Sequence, residues 1–126
     1  MHSTRNERGA AAVEFALIIP LLLLLVFGVM EFSRLYNEQI SLSNAARSAA
    51  RVMAIGNNQA NAKNAAITAA PSLNPLLASG NVSISPGTCT PGATVNVTID
   101  YTTSMLTGWF GPTFALQGKA ATPCGG

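Results

Sequence analysis

Residues 8–30 read RGAAAVEFALIIPLLLLLVFGVM, and this stretch decides how the rest of the chain is organised. From Phe15 to Met30 it contains no charged residue. As an α-helix, residues 10–30 span about 31 Å, which matches the hydrocarbon thickness of a bilayer. The pattern therefore predicts a transmembrane helix, and the lipid bilayer is an expected partner of the chain.

One carboxylate, Glu14, lies near the start of this apolar stretch. A charged side chain at membrane depth costs about 2.5–3.5 kcal/mol on insertion scales. Two interpretations are open at this point. Either Glu14 reaches water at the membrane surface, since it lies close to Ala10, or another charge compensates it.

The charges on either side of the apolar stretch predict its orientation. Arg5 and Arg8 precede it, whereas Glu31 and Arg34 follow it. Because basic residues are retained on the cytoplasmic side, the N-terminus is expected in the cytoplasm and everything after Met30 outside it. This predicts a single-pass protein of the inner membrane with a periplasmic or extracellular C-terminus.

The exported part carries few groups that do chemistry. Cys89 and Cys124 are the chain's two cysteines, and in an oxidising compartment they are expected to form a disulfide. The only histidine, His2, precedes the apolar stretch, so no metal site is expected. Asp100 is the one aspartate and has no catalytic partner in the sequence, so we expect no enzyme, no cofactor and no small-molecule substrate.

The net charge of +2 is small and dispersed, which argues against nucleic acid as a partner.

Helical periodicity continues beyond the apolar stretch, and residues 31–55 are predicted to form an amphipathic second half of one long helix. Glycine and asparagines at 56–58 provide the stop signal. The apolar face is predicted to comprise Phe32, Leu35, Leu42, Ala46, Ala49 and Met53. The polar face is predicted to comprise Asn37, Glu38, Ser41, Asn44, Arg47 and Arg51. Its many alanines and serines either allow close packing or simply favour helix, and the sequence does not decide between the two.

Residues 56–126 are predicted to be a small α/β region. A short helix is expected at about 59–70, before Pro71, and a loop follows it. Alternating apolar residues predict strands at 81–85 and 93–102, and a weaker pattern predicts a third strand at 113–122. The fold class is therefore α+β, with the long N-terminal helix packed on an antiparallel sheet of about three strands.

The segment TGWFGPTF, which precedes and enters the third strand, places Trp109 and Phe110 in a loop. Packing over the sheet edge is the favoured interpretation, and an exposed aromatic tip that contacts another surface is the alternative.

The segment RGAAAVEFALIIPLLLLLVFGVMEFSRLYNEQISLSNAARSAARVMA resembles the opening of the TadE/TadG-like family, the pseudopilins of tight-adherence (Flp-type) pilus systems. The resemblance covers residues 8–54, and the C-terminal part fits only loosely, as the family's variable β-rich region. It implies a type IV pilin-like fold. The chain departs from common type IV pilins in having Ala10, not phenylalanine, after the leader.

The resemblance also implies roles for individual residues. Residues 1–9 are a cytoplasmic leader peptide, and a prepilin peptidase cuts between Gly9 and Ala10. Glu14, followed by Phe15, then pairs with the new N-terminal amine of a neighbouring subunit during assembly. Independently of the resemblance, Pro20 removes one backbone hydrogen bond, which permits a kink or local melting of the helix inside an assembled bundle.

The function expected from these observations is that of a minor pseudopilin that is assembled into, or primes, a pilus for surface adhesion. Its expected partners are the prepilin peptidase, other pilin or pseudopilin subunits and the inner-membrane pilus assembly machinery. An uncleaved single-pass envelope protein that anchors a small exported binding domain is the alternative. A secreted protein with a signal peptide is disfavoured, because no small-residue cleavage site follows the apolar run.

Overall fold

The computed structural model describes the backbone of residues 2–125 and the side chains of residues 6–125. Met1 and Gly126, the outer ends of the predicted leader and of the predicted exported region, lie outside the described residues. The chain divides into two compact units, Met1–Ser33 and Arg34–Gly126. The fold is α+β, as predicted.

Helix α1 extends over His2–Gly56. It begins before Ala10, where the apolar pattern predicts its start, because residues 2–9 contain no proline and adding residues to an existing helix costs little. It ends where the sequence predicts. Asn57 adopts the left-handed conformation, with φ of 48°, and its N–H donates to the Met53 carbonyl at 2.9 Å.

Helix α2 covers Gln59–Ala69 and follows almost directly. Asn58 is its N-cap, and the side-chain oxygen of Asn58 accepts a hydrogen bond from the Asn61 N–H at 3.0 Å. Ala62 and Ala66, one turn apart, form its buried face. The helix stops before Pro71, as predicted.

The three predicted strands are confirmed: β1 is Val82–Ser85, β2 is Thr94–Ser104 and β3 is Thr113–Pro123. They form one antiparallel sheet in the order β1-β2-β3. Strict alternation in β2 buries one face of the sheet. The buried residues of β1 and β2 are Val82, Val95, Val97, Ile99, Tyr101 and Thr103.

The second half of α1 lies on this buried face and supplies mostly small side chains. Its fully buried residues are Leu42, Ala45, Ala46, Ala49, Ala50 and Met53. Gly118 on β3 is a point of close approach, because a Cβ there would lie 2.6 Å from the Leu42 carbonyl oxygen. The alanines of α1 therefore serve close packing against the sheet in addition to favouring the helix.

The segment between α2 and β1 has little regular structure, as predicted, apart from a short 3-10 turn at Ser79–Asn81. Leu73 and Leu77 in this segment are nevertheless buried in the core. The sequence gives no periodic signal for such single anchor residues, so the prediction of a plain loop missed their contribution.

Two residues of the predicted helix faces are placed differently. Phe32, predicted on the apolar face, is exposed. It lies ten residues before the buried Leu42, which places the two side chains about 80° apart around the axis of an ideal helix. Glu38, predicted on the polar face, has a side chain that is only 13% exposed. It lies four residues before Leu42, so the two side chains are about 40° apart around the helix axis.

Candidate processing and assembly segment

The uncharged part of α1, residues 15–30, has a mostly exposed surface of apolar side chains. Among the described residues, one helix, Asn6–Gly56, is long and apolar enough to cross a membrane. Phe15 is 65% exposed, and the large aliphatic side chains from Val13 to Met30 are exposed with it, apart from the half-buried Ile19. A soluble helix hides such a surface in a core, so this exposure fits insertion into a bilayer.

The predicted cut site, Gly9–Ala10, lies within the exposed N-terminal part of α1. A Cβ built on Gly9 would meet nothing within 4 Å. Neither packing nor an unusual backbone angle therefore requires glycine at this position, although glycine costs about 1 kcal/mol in a helix interior.

Ala10 and Glu14 lie one helical turn apart, on the same face of α1. Both are exposed, as is Phe15. The structure thus brings Ala10 and Glu14 onto one face, at a spacing of about 6 Å along the helix axis.

Pro20 lies inside α1, and the helical assignment continues through it without a break. Proline has no N–H, so the Ala16 carbonyl lacks its usual helical donor. This leaves one weakened turn in the middle of the apolar segment.

A polar cluster lies at the first turn of the Arg34–Gly126 unit and joins α1 to β2. Arg34 Nη1 donates to Glu38 Oε1 at 3.1 Å and to Thr103 Oγ1 at 3.1 Å. Arg34 Nη2 donates to the Ser104 carbonyl, and Thr103 Oγ1 donates to Glu38 Oε1 at 3.3 Å. Arg34 and Glu38 are four residues apart, a spacing typical of ion pairs on a helix. The prediction that Glu38 lies on a solvent-facing polar surface did not use this spacing.

Tyr101 packs near this cluster, and its hydroxyl donates to the Pro75 carbonyl at 2.8 Å. Burial raises the pKa of the Tyr101 phenol, and the negative charge of Glu38 raises it further, while Arg34 opposes the increase. The fold therefore favours the neutral phenol.

The far end of the unit is closed by Cys89 and Cys124, which lie at disulfide distance, as predicted, with their Cα atoms 5.6 Å apart. The Gly125 N–H donates to the Ala54 carbonyl at 3.1 Å, so the end of the chain caps the last turn of α1. Asn57 Oδ1 accepts from the Cys89 N–H at 2.7 Å. Both cysteines are thus tied to the end of the long helix.

Asp100 lies on the exposed face of β2, and its Oδ1 accepts from Gln117 Nε2 at 2.8 Å. Within the described residues, no group of three or more histidine, cysteine, aspartate or glutamate side chains is arranged to hold a metal ion.

Comparison with known proteins gives one finding. The family model described as TadE-like protein matches residues 9–51, which confirms the resemblance over the apolar segment and most of the amphipathic one. No curated protein and no solved structure matches the chain significantly.

Proposed function

We propose that this chain, whose residues 9–51 are TadE-like, is a minor structural pseudopilin of a tight-adherence pilus. The observation that carries the proposal is the family match itself, which contains Gly9, Glu14 and the whole apolar run. TadE-like proteins are a structural, pilus-associated family, and this supports an assembly role over a catalytic one.

The first step is processing. A prepilin peptidase hydrolyses the Gly9–Ala10 peptide bond, which leaves a carboxylate on the leader and an ammonium group on Ala10. The exposure of this segment gives a peptidase access to the bond. Arg5 and Arg8 hold the leader on the cytoplasmic side, which places the cut at the inner face of the membrane.

The second step is assembly with other subunits. The carboxylate of Glu14 and the Ala10 ammonium of a neighbouring subunit come together when two helices are offset by one turn. In a low-dielectric setting this pair is strongly attractive, whereas either charge alone is heavily penalised. An unpaired Glu14 therefore favours assembly, and the pair fixes the axial register of the subunits.

The Arg34–Gly126 unit is carried outside the cytoplasm in this proposal. An oxidising compartment suits the Cys89–Cys124 pair. Pro20 supplies the weak turn at which the apolar segment adapts when it leaves the bilayer for a bundle of subunits.

The variant Glu14→Gln tests the assembly role, because it removes the charge and keeps the size of the side chain. We expect leader removal to proceed and the amount of the subunit in pili sheared from cells to fall to background. Glu7→Gln is the matched control. Its carboxylate leaves with the leader, so the mature subunit is unchanged and incorporation stays normal.

Normal incorporation of Glu14→Gln would mean that Glu14 only reaches water at the membrane surface. Retention of the leader by wild-type protein would instead favour the uncleaved envelope anchor.

A further inference from the structure

The turn between β2 and β3, residues 105–112, is an exposed apolar surface that the proposed function does not use. We call it the hairpin tip. Trp109 is 52% exposed, Phe110 is 64% exposed and Leu106 is 59% exposed. No residue of the tip is charged. Exposed clusters of large apolar side chains mark surfaces that meet an apolar phase or a partner.

Trp109 and Phe110 are therefore exposed and not buried against the sheet edge, as the alternative prediction has it, while contact of the tip with another surface stays a prediction. The tip has a defined shape. The Met105 N–H donates to the Pro112 carbonyl at 3.1 Å and closes the turn. Gly108 and Gly111 have φ of 71° and 109°, in the left-handed region that glycine adopts without strain.

The β2–β3 hairpin runs beside the second half of α1, with its tip toward the start of the Arg34–Gly126 unit. Three hydrogen bonds trace this direction: Gly125 N–H to the Ala54 carbonyl at 3.1 Å, Gln39 Nε2 to the Gln117 carbonyl at 2.8 Å, and Arg34 Nη2 to the Ser104 carbonyl. Within the Arg34–Gly126 unit, the tip therefore lies at the same end as Arg34.

Arg34 follows Met30, the last residue of the apolar run, by four residues in the sequence. If residues 10–30 span the membrane, Arg34 lies at its outer surface. The opposite end of the sheet differs in character. The β1–β2 turn, residues 86–93, reads PGTCTPGA and has no large apolar residue apart from the bonded cysteine.

The geometry points to the hairpin tip as a second membrane contact that inserts into the outer interface of the bilayer. Tryptophan is enriched at this depth because its ring is apolar while its N–H reaches the headgroups. Trp109, Phe110 and Leu106 supply buried apolar area without any charge that would oppose it. The tip then fixes the Arg34–Gly126 unit against the membrane before extraction. This inference rests on the proposed membrane insertion of residues 10–30.

Trp109 is the only tryptophan of the chain, so its fluorescence reports on the tip alone. The full chain is reconstituted at low density in phosphatidylethanolamine–phosphatidylglycerol vesicles with a fraction of brominated lipid. We expect a large loss of Trp109 emission with bromines near the headgroup end of the acyl chains, little loss with bromines near the methyl ends, and protection from aqueous iodide.

Two moved-tryptophan variants calibrate the measurement, both combined with Trp109→Phe. Leu23→Trp places the probe in the apolar run and is expected to respond to the deep bromines. Ile55→Trp places it on the 72% exposed position in the last turn of α1 and is expected to respond to iodide alone.

Three outcomes overturn the inference. In the first, iodide quenches Trp109, bromines do not, and the Leu23→Trp probe responds as expected. The tip then faces water, although residues 10–30 still span the membrane. Protection of Trp109 from both quenchers means that the tip packs on protein, such as a second copy of the chain. If the emission of the Leu23→Trp probe is not quenched by bromines, residues 10–30 do not span the membrane. The proposed function then fails together with the inference.

Discussion

At the scale of single residues, Gly118 controls how closely α1 approaches the sheet. Its lack of a side chain allows the Leu42 backbone to pack directly on β3. The sequence shows only a glycine in a weak strand pattern. Its contact partner, Leu42, lies 76 positions earlier in the chain (118 − 42), and no local sequence pattern specifies this contact.

We expect Gly118→Ala to lower the free energy of unfolding by about 1–3 kcal/mol, the usual cost of overpacking. The new Cβ would meet the Leu42 carbonyl carbon at 2.7 Å, and backbone cannot move aside as a flexible side chain can. Thermal unfolding of the full chain in detergent measures this. Gly80→Ala is the control, since a Cβ there meets nothing within 4 Å. Equal midpoints for the two variants would contradict the close approach.

Tyr101 makes stability depend on alkaline pH. Its pKa is raised in the folded chain above the ordinary 10.0, so the neutral phenol is favoured by folding. This contribution is fully present below pH 10.0 and is lost as pH rises through the raised pKa. We expect Tyr101→Phe to be less stable than wild type at neutral pH, because the Pro75 carbonyl loses its donor.

The difference in free energy of unfolding between wild type and Tyr101→Phe should become smaller above pH 10.0, because only wild type has a tyrosine whose ionisation destabilises the fold. A gap that stays constant across that range would contradict the assigned direction of the pKa.

At the scale of elements, patterns that repeat along the chain were predictive. The end of α1 at Gly56, helix α2 and all three strands follow from periodicity and stop signals. Features set by single contacts were not. The burial of Leu73 and Leu77, and the turn of Glu38 toward the sheet, depend on which surfaces meet in three dimensions.

The cluster of Arg34, Glu38 and Thr103 joins α1 to β2. We expect Arg34→Met to destabilise the fold by about 1–3 kcal/mol, since it removes the cation that pairs with the largely buried Glu38 carboxylate and leaves only the Thr103 hydroxyl to donate to it. Denaturant unfolding measures the change, with Arg47→Met as the control at an exposed position of the same helix. Adding Glu38→Leu to Arg34→Met should recover part of the loss. No loss in the single variant would show that the cluster does not hold the two elements together.

At the scale of the whole molecule, the chain combines an exposed apolar helical segment with a small α/β unit that contains the cysteine pair. The sequence predicts both parts, because a long uncharged run and alternating strands are strong local signals. The proposed roles of Gly9 and Glu14 have a different origin. They follow from resemblance, since a single chain contains neither the peptidase nor the neighbouring subunit on which these proposed roles depend.

The most direct test of this account is the N-terminus of the protein made in its own cells. Intact mass and N-terminal sequencing should show a chain that begins at Ala10. Gly9→Val is the control, because a side chain there disturbs no packing and is expected to block the cut. Wild-type protein that still carries residues 1–9 would contradict the account.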